Sequence, residues 1–291
     1  MKFLLFIVGL LTSTTPLLAQ NNNVDYKIYD VKKQKTISID NIIADMDKAD
    51  VLFYGEDHND SIGHFLEAEI FKKLSEKYPK KTALTLEMFH TDVQSVLDEY
   101  LAGLISEKNF TKEGRAWSNY KDYRPLIEYA KEKKIEVIGA NAATRYSNAV
   151  TKDGLEALKK FPKSSASFLP PLPIDTATGR YNEKFAETMG GHSMGPMKIY
   201  QTQNLWDATM AWSIAKFIKQ HKGIKVLQLN GRFHSDEKLG TFAKLQKYAP
   251  KLKILNVSSF SDAGFDNPDW EKFKNLGDYI IITNPEIKRS F

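Results

Sequence analysis

The stretch VLFYGEDH, residues 51–58, is an apolar run that ends in a glycine and three ionisable residues. The run has the length and composition of a buried strand, and glycine permits a tight turn where the strand ends. In the next stretch, residues 61–78, the apolar side chains share one face of a helix. The sequence therefore predicts a strand, a polar turn and a helix capped by Asp60 or Ser61.

The same unit recurs along the chain. Further strands are predicted at Thr82–Leu86, Glu136–Gly139, Lys225–Leu229, Lys253–Val257 and Tyr279–Ile282. Helices are predicted at Val93–Leu104, Arg124–Lys133, Gln201–Gln220 and Asp236–Tyr248. A capping box at Thr91-x-x-Gln94 opens the first of these helices. Strands that alternate with helices predict an α/β fold with a mostly parallel sheet flanked by helices.

Polar residues follow the ends of four of these strands. In a parallel sheet with right-handed crossovers, all the carboxyl ends of the strands lie on one edge. Ligands bind outside that edge in open α/β sheets. We therefore expect convergence there of Glu56, His58, Glu87, Asn141 and His234.

Residues of about 142–200 interrupt the strand–helix alternation, and we predict that they form a smaller inserted helical lobe. Phe161–Gly179 is rich in Pro, Ser and Thr and does not suit a long helix. Met189–Met197 is a Gly/Met loop that contains His192 and Met194. Such a loop suits either a cover over a flat apolar ligand or a turn in which Met fills gaps.

Residues 1–19 have the pattern of a secretory signal peptide, with Lys2, the apolar run Phe3–Leu11 and Ala19 before the cleavage point. The run is shorter than the roughly 20 residues of a membrane span. We therefore expect residues 20–291 to form an exported α/β domain that is soluble, in the periplasm or secreted, with no transmembrane segment.

The composition limits the chemistry. The chain contains no cysteine, which excludes disulfides, a thiolate nucleophile and a lipidated N-terminal cysteine. The net charge of +5 is modest and spread along the sequence. It favours small anions as ligands and gives no reason to expect a nucleic-acid partner.

Two Gly-x-x-His motifs, Gly55–His58 and Gly231–His234, each follow an apolar strand. With Glu56 and Glu87, the two imidazoles could hold a divalent metal, act as a general acid and base, or bind an anionic or porphyrin ligand. The alternative is that these residues only cap helices and form turns.

Asp207 lies in an otherwise apolar helix, where a carboxylate needs a partner. We expect Arg232 or Arg145 to pair with it, either as a structural ion pair or in a functional role. His64 falls on the side of its helix that we predict to be exposed, and His221 is predicted to lie on the surface.

These motifs carry a resemblance. VLFYGEDHND, LEMF, VIGAN, GGHSM and NGRFHSDEKLG, spread over most of residues 50–250, resemble the ChaN-like haem-binding uptake family of the Tiki superfamily. The resemblance implies haem bound at a dimer interface through a Tyr ligand; Tyr54, Tyr146 and Tyr181 are candidates. The positions that match the family are Glu56, His58, Glu87, His192, Gln203, Asp207, Asn230, Gly231 and His234. Met194 is a further candidate ligand contact.

We therefore expect an exported haem-binding protein for iron or haem uptake, with haem as its cofactor, a homodimer as its assembly, and a haem receptor or transporter as its partner. Relatives in the superfamily include metal-dependent peptidases and an antibiotic esterase. The alternative is thus a metal-dependent hydrolase in which His58, Glu87 and His234 hold a divalent ion and Glu56 activates water. A third reading is a binding module without catalytic activity.

Overall fold

A computed structural model describes residues 25–190 and 197–291 of the chain. Residues 1–19, His192 and Met194 lie outside the described residues, so the predictions made for them stay predictions. The eight-stranded sheet has the order β2-β1-β8-β7-β3-β6-β4-β5. Its strands are β1 (Tyr26–Asp30), β2 (Lys35–Ile37), β3 (Val51–Glu56), β4 (Thr82–His90), β5 (Glu136–Asn141), β6 (Lys225–Gly231), β7 (Ile254–Ser261) and β8 (Tyr279–Thr283).

The centre of the sheet is parallel, which confirms the predicted fold class. β3 pairs with β6 on one side and β7 on the other, and β4 joins β6 to β5. Every residue of β3 is buried, because helices cover both faces of a parallel sheet and its strands are therefore apolar throughout. β3, β4, β5 and β6 run longer than predicted at their carboxyl ends. Glu56 and Gly231 lie directly opposite each other in the parallel register.

The sequence reading missed two strands at one edge of the sheet. β1 pairs antiparallel with both β2 and β8. The burial pattern of β1 is mixed, and two of the three residues of β2 are exposed. Neither segment has the apolar run that marks a central strand, so the antiparallel edge followed only from tertiary pairing.

The described helices flank the sheet: α1 (Ile39–Asp45), α2 (Ser61–Lys77), α3 (Gln94–Leu101), α4 (Glu107–Glu113), α5 (Tyr120–Lys133), α6 (Thr144–Asp153), α7 (Arg180–Thr188), α8 (Ile199–Gln220), α9 (Gly240–Tyr248) and α10 (Trp270–Phe273). Asp60 caps α2, as predicted, by accepting a hydrogen bond of 3.1 Å from the amide of Ile62. Among residues 25–190 and 197–291, no helix is both long enough and apolar enough to span a bilayer.

The predicted capping box at Thr91 is wrong. Thr91 donates to the carbonyl oxygen of Phe168, and a 3₁₀ turn precedes α3. The side chain of Gln94 instead donates to the carbonyl of Val137 and accepts from the amide of Gly139, at 2.8 and 2.9 Å. It therefore satisfies the free backbone groups of the edge strand β5, which would otherwise be open to pairing.

Between β5 and α8 the described chain forms α6, two 3₁₀ segments and α7. The 3₁₀ segments are Leu155–Lys160 and Lys163–Phe168; as predicted, Phe161–Gly179 contains no long helix. A separate apolar cluster joins Tyr146 and Val150 of α6 to Leu205 of α8. α8 is buried over most of its length, as its sequence indicates.

Candidate functional site

His58, the histidine of the first Gly-x-x-His motif, is held by a carboxylate from the end of the same strand. Its Nδ1 donates to Oε1 of Glu56 at 2.7 Å, and the Tyr123 hydroxyl donates to the same oxygen at 2.6 Å. Burial opposes ionisation of Glu56, but hydrogen bonds from His58 and His64 hold its pKa well below the usual range. Burial likewise opposes charge on His58, yet the bond to Glu56 and the charge of Glu87 raise its pKa.

His234, in the second motif, is held by a carboxylate from a different element. It lies in a 3₁₀ turn after β6, and its Nδ1 donates to Oδ1 of Asp207 on α8 at 2.7 Å. The hydroxyls of Tyr181 and Thr241 donate to Asp207 at 2.5 and 2.9 Å. Gln203 places its Nε2 3.1 Å from Nδ1 of His234.

Glu87, on β4, links the two motifs. Its Oε2 accepts a hydrogen bond of 2.7 Å from the amide of Gly231, and its Oε1 lies 3.5 Å from Nε2 of His234. Burial opposes the charged forms of His234 and Glu87. The charges of Glu87 and Asp207 nevertheless raise the pKa of His234 to about 10, and the charge of His234 lowers the pKa of Glu87.

Both imidazoles line one pocket of about 440 Å³ at the carboxyl edge of the sheet. The His58 side chain is 39% exposed and that of His234 only 7%. A β-carbon at Gly231 would lie 2.6 Å from Nε2 of His58, so this glycine is needed for the ring to pack across β6. Glu56, Gln203, Arg232 and Phe233 are further lining residues.

The arginines predicted to pair with Asp207 do not contact it. Arg145 pairs with Asp92, and Arg232 pairs with Asp236 at 2.9 Å. Asp207 is fully buried, and its partners are His234, Tyr181 and Thr241. A hydroxyl or imidazole donor satisfies a buried carboxylate as well as a guanidinium does, and the sequence pattern does not distinguish among them.

The prediction that His64 faces solvent is wrong. Its side chain is only 6% exposed, and Nδ1 lies 3.2 Å from Oε2 of Glu56 and 3.3 Å from Oε2 of Glu67. Burial disfavours the charged ring, but these two carboxylates raise its pKa to about 11. Glu67 and Tyr123 were not singled out from the sequence. The i, i+3 spacing of His64 and Glu67 on α2 was the one available signal.

Two predicted residues lie near the edge without joining the cluster. The side chain of Asn141 accepts from the adjacent amide of Ala142. Asn230 is fully buried and donates to the carbonyl of Gly231 and to Ser235. Both amides hold local backbone in place.

Three tyrosines suggested as haem ligands are buried. The hydroxyl of Tyr54 donates to Ser259 and the carbonyl of Gly63. Tyr146 accepts from Arg145, and Tyr181 donates to Asp207. Each is at most 2% exposed, so none presents its oxygen to a ligand at the surface. His221 is partly exposed at the end of α8, as predicted, and its ring stacks on Phe217.

The fold and this site define an α/β protein with two carboxylate-held histidines at the carboxyl edge of its sheet. The sequence model of the family described as "Haem-binding uptake, Tiki superfamily, ChaN" matches residues 42–245, and the chain belongs to this family. A search among curated proteins finds no match.

Comparison with solved structures finds three similarities, of which the first has a TM-score high enough to show a shared fold. The structure titled "Cofacial heme binding to ChaN of Campylobacter jejuni" is 22% identical, covers 90% of this chain and 98% of its own, and superposes with a TM-score of 0.68. A mutant of the erythromycin esterase EreC, in its open conformation, is 10% identical over 81% of this chain and 77% of its own, with a TM-score of 0.48. The type III effector HopBA1 is 13% identical over 84% and 92%, with a TM-score of 0.46.

Proposed function

We propose that the chain is an exported haem-binding protein that serves haem or iron uptake. The observation that carries the proposal is membership of the haem-binding uptake family over residues 42–245. The similarity to ChaN of Campylobacter jejuni, whose structure is titled for cofacial haem binding, extends over nearly the whole of that protein. The pattern of a signal peptide in residues 1–19 supports delivery to the compartment where haem is captured.

The pocket at the sheet edge suits the propionate side of haem. His58 is the more exposed of its two imidazoles, and its raised pKa favours the cationic form that attracts a carboxylate. Arg232 lines the same pocket and adds a second positive charge there. Phe233 and Phe291 add apolar surface at the mouth, which suits a porphyrin edge.

The iron ligand is a separate question. The buried tyrosines Tyr54, Tyr146 and Tyr181 do not fit that role, because their hydroxyls are engaged inside the protein. His192 and Met194 remain our proposed ligand contacts from the Gly/Met loop. When bound, haem would supply the iron that is transported, and a second copy of the chain would cover its other face.

Titration of the purified apoprotein with haemin tests the proposal. We expect a saturable Soret shift at micromolar protein. The His58→Ala variant should bind about tenfold more weakly, which corresponds to about 1.4 kcal/mol. His221→Ala, which removes an imidazole away from the pocket, serves as the matched control and should bind like the wild type. A spectrum that changes only as free haemin does would refute haem binding.

Export is tested separately from haem binding. The full chain expressed in a bacterium with two membranes should be recovered from the periplasmic fraction with its N-terminus at Gln20. Retention in the cytoplasm with an intact N-terminus would contradict export and leave the haem titration unaffected.

The second candidate is a metal-dependent hydrolase, and one observation favours it. His58 and His234 each donate Nδ1 to a carboxylate at 2.7 Å, the arrangement that fixes the tautomer of metal-binding histidines. Nε2 of each ring is then available to a divalent ion together with Glu87, and the ion would supply an activated water. Glu56, which the sequence predicts to activate that water, would instead orient His58, since its carboxylate already accepts from His58 and Tyr123.

The fit of this donor set is incomplete. Among the described residues, the ligand atoms of His58, Glu87 and His234 do not all come within 4.8 Å of one another. A screen of peptide and ester substrates, with and without a chelator, tests this candidate. Turnover that is lost in His58→Ala while haem still binds would favour the hydrolase over the haem carrier.

A further inference from the structure

A second polar cluster adjoins the pocket and shares Glu56 with its lining. It comprises Glu56 from the end of β3, His64 and Glu67 from α2, and Asp122 from α5. Glu56 and Glu67 are 1% and 0% exposed, and His64 is 6% exposed. One ligand atom from each of these three residues lies within 4.8 Å of the other two.

The hydrogen bonds fix which nitrogen of His64 faces the carboxylates. Nε2 lies 3.1 Å from the carbonyl oxygen of His58, and a carbonyl oxygen only accepts, so Nε2 carries the hydrogen. Nδ1 therefore faces Glu56 and Glu67, whose oxygens lie 3.2 and 3.3 Å away, and without a metal it carries the proton that its raised pKa implies. A divalent ion in this space would displace that proton and accept the Nδ1 lone pair together with oxygens of the two carboxylates, whose negative charge it would balance.

The unpartnered carboxylate oxygens and the distances around His64 suit a bound metal ion. Oε2 of Glu56 and Oε1 of Glu67 are buried without a hydrogen-bond partner among the described residues, which native proteins rarely leave unexplained. A tetrahedral ion about 2.0–2.1 Å from nitrogen and oxygen holds its ligand atoms about 3.3 Å apart, which agrees with the separations around His64.

We propose that Glu56, His64 and Glu67 form a buried divalent-cation site, which adjoins the pocket through Glu56 and is distinct from the His58–Glu87–His234 donor set. Imidazole and carboxylate ligands suit zinc or manganese. The bond from Nε2 of His64 to the His58 carbonyl, with Asp122 3.9 Å from the same nitrogen, supplies the outer support that metal-binding histidines have. The ion would join the end of β3 to α2 and fix Glu56, which holds His58.

Metal analysis of the full chain tests this site. Chelator-treated protein is dialysed against zinc chloride and, separately, manganese chloride; bound metal is measured by mass spectrometry and affinity by calorimetry. We expect one ion per chain. Glu67→Gln, which keeps the shape of the side chain, should weaken binding at least tenfold, and Glu69→Gln on the same helix should leave it unchanged.

A second variant keeps the test usable if Glu67→Gln misfolds. If Glu67→Gln does not fold by circular dichroism, Asp122→Asn, which alters only the outer support, should still weaken binding. The proposal is overturned if the wild type holds no stoichiometric ion, or if folded Glu67→Gln binds as tightly as the wild type. It is equally overturned if His234→Ala removes the ion while Glu67→Gln retains it, because the ion would then belong to the pocket.

Discussion

The two Gly-x-x-His motifs share a pattern and a strand-end position, yet their histidines differ in carboxylate partners and in exposure. His58 takes its carboxylate partner from its own strand end, and its side chain is 39% exposed. His234 takes its partner from α8, is 7% exposed, and has a second carboxylate, Glu87, beside Nε2. His234 therefore has a carboxylate beside each ring nitrogen, whereas Nε2 of His58 has no carboxylate partner among the described residues.

This difference predicts a structural role for His234 and, under the proposed function, a binding role for His58. A buried imidazolium between two carboxylates stabilises the packing of α8 against β6, and its removal leaves uncompensated charge. A half-exposed imidazole with one nitrogen free costs less to change and is better placed to meet a ligand. Four predictions test this contrast between His58 and His234.

The largest effect is expected from removing the two imidazoles one at a time. His234→Ala leaves Asp207 and Glu87 buried without their shared cation, and should lower the free energy of unfolding by about 3–5 kcal/mol. His58→Ala should cost no more than about 1.5 kcal/mol, because Tyr123 still donates to Glu56. Urea denaturation measures both, with His221→Ala as the control. Equal losses would show that the two motifs are structurally equivalent.

The pH dependence of stability comes next. A raised pKa in the folded state contributes stability that is complete below the unfolded value near 6.5 and is lost as pH rises towards the folded value, about 10 for His234. In chelator-treated protein we expect His234 to account for a loss on the order of 3 kcal/mol between about pH 6.5 and 9. His64 contributes in the same window, so the share of His234 is the difference from His234→Gln. A His234→Gln variant with the wild-type slope would contradict the prediction.

The two motif glycines should differ in a smaller way. A β-carbon at Gly55 would lie 2.9 Å from the Cα of Arg232, which is backbone, and 2.7 Å from Oγ of Ser235. Gly55→Ala should therefore destabilise by about 2 kcal/mol. At Gly231 the obstacle is the ring of His58, which has room to turn outwards, so Gly231→Ala should cost below about 1 kcal/mol while weakening haem binding. The reverse order in thermal melts would mean that His58 is rigidly held.

The smallest effect concerns the neutral groups beside each histidine. Asn119 donates to the carbonyl of His58 at 3.4 Å, a long bond whose loss in Asn119→Ala should cost about 0.5 kcal/mol. Gln203 donates to Tyr181 and lies against Nδ1 of His234, so Gln203→Ala should cost about 1 kcal/mol. Chemical denaturation of both variants measures these two losses of stability. A larger loss in Asn119→Ala than in Gln203→Ala would mean that the His58 side is the more tightly packed.

The sequence by itself determined the parallel centre of the sheet, the Asp60 cap and the position of the two motifs at strand ends. Periodicity and turn residues are local properties, and the right-handed crossover then places strand ends on one edge whatever the details. The family resemblance followed from the same motifs.

Only the tertiary structure decided the partners. Asp207 accepts hydrogen bonds from His234, Tyr181 and Thr241, which come from three separate segments. The sequence pattern predicts arginine partners instead. His64 is buried because α5 covers the start of α2, although its own helix pattern favoured exposure. Which donor reaches a buried carboxylate depends on how helices pack over the sheet, and that packing has no local signature in the chain.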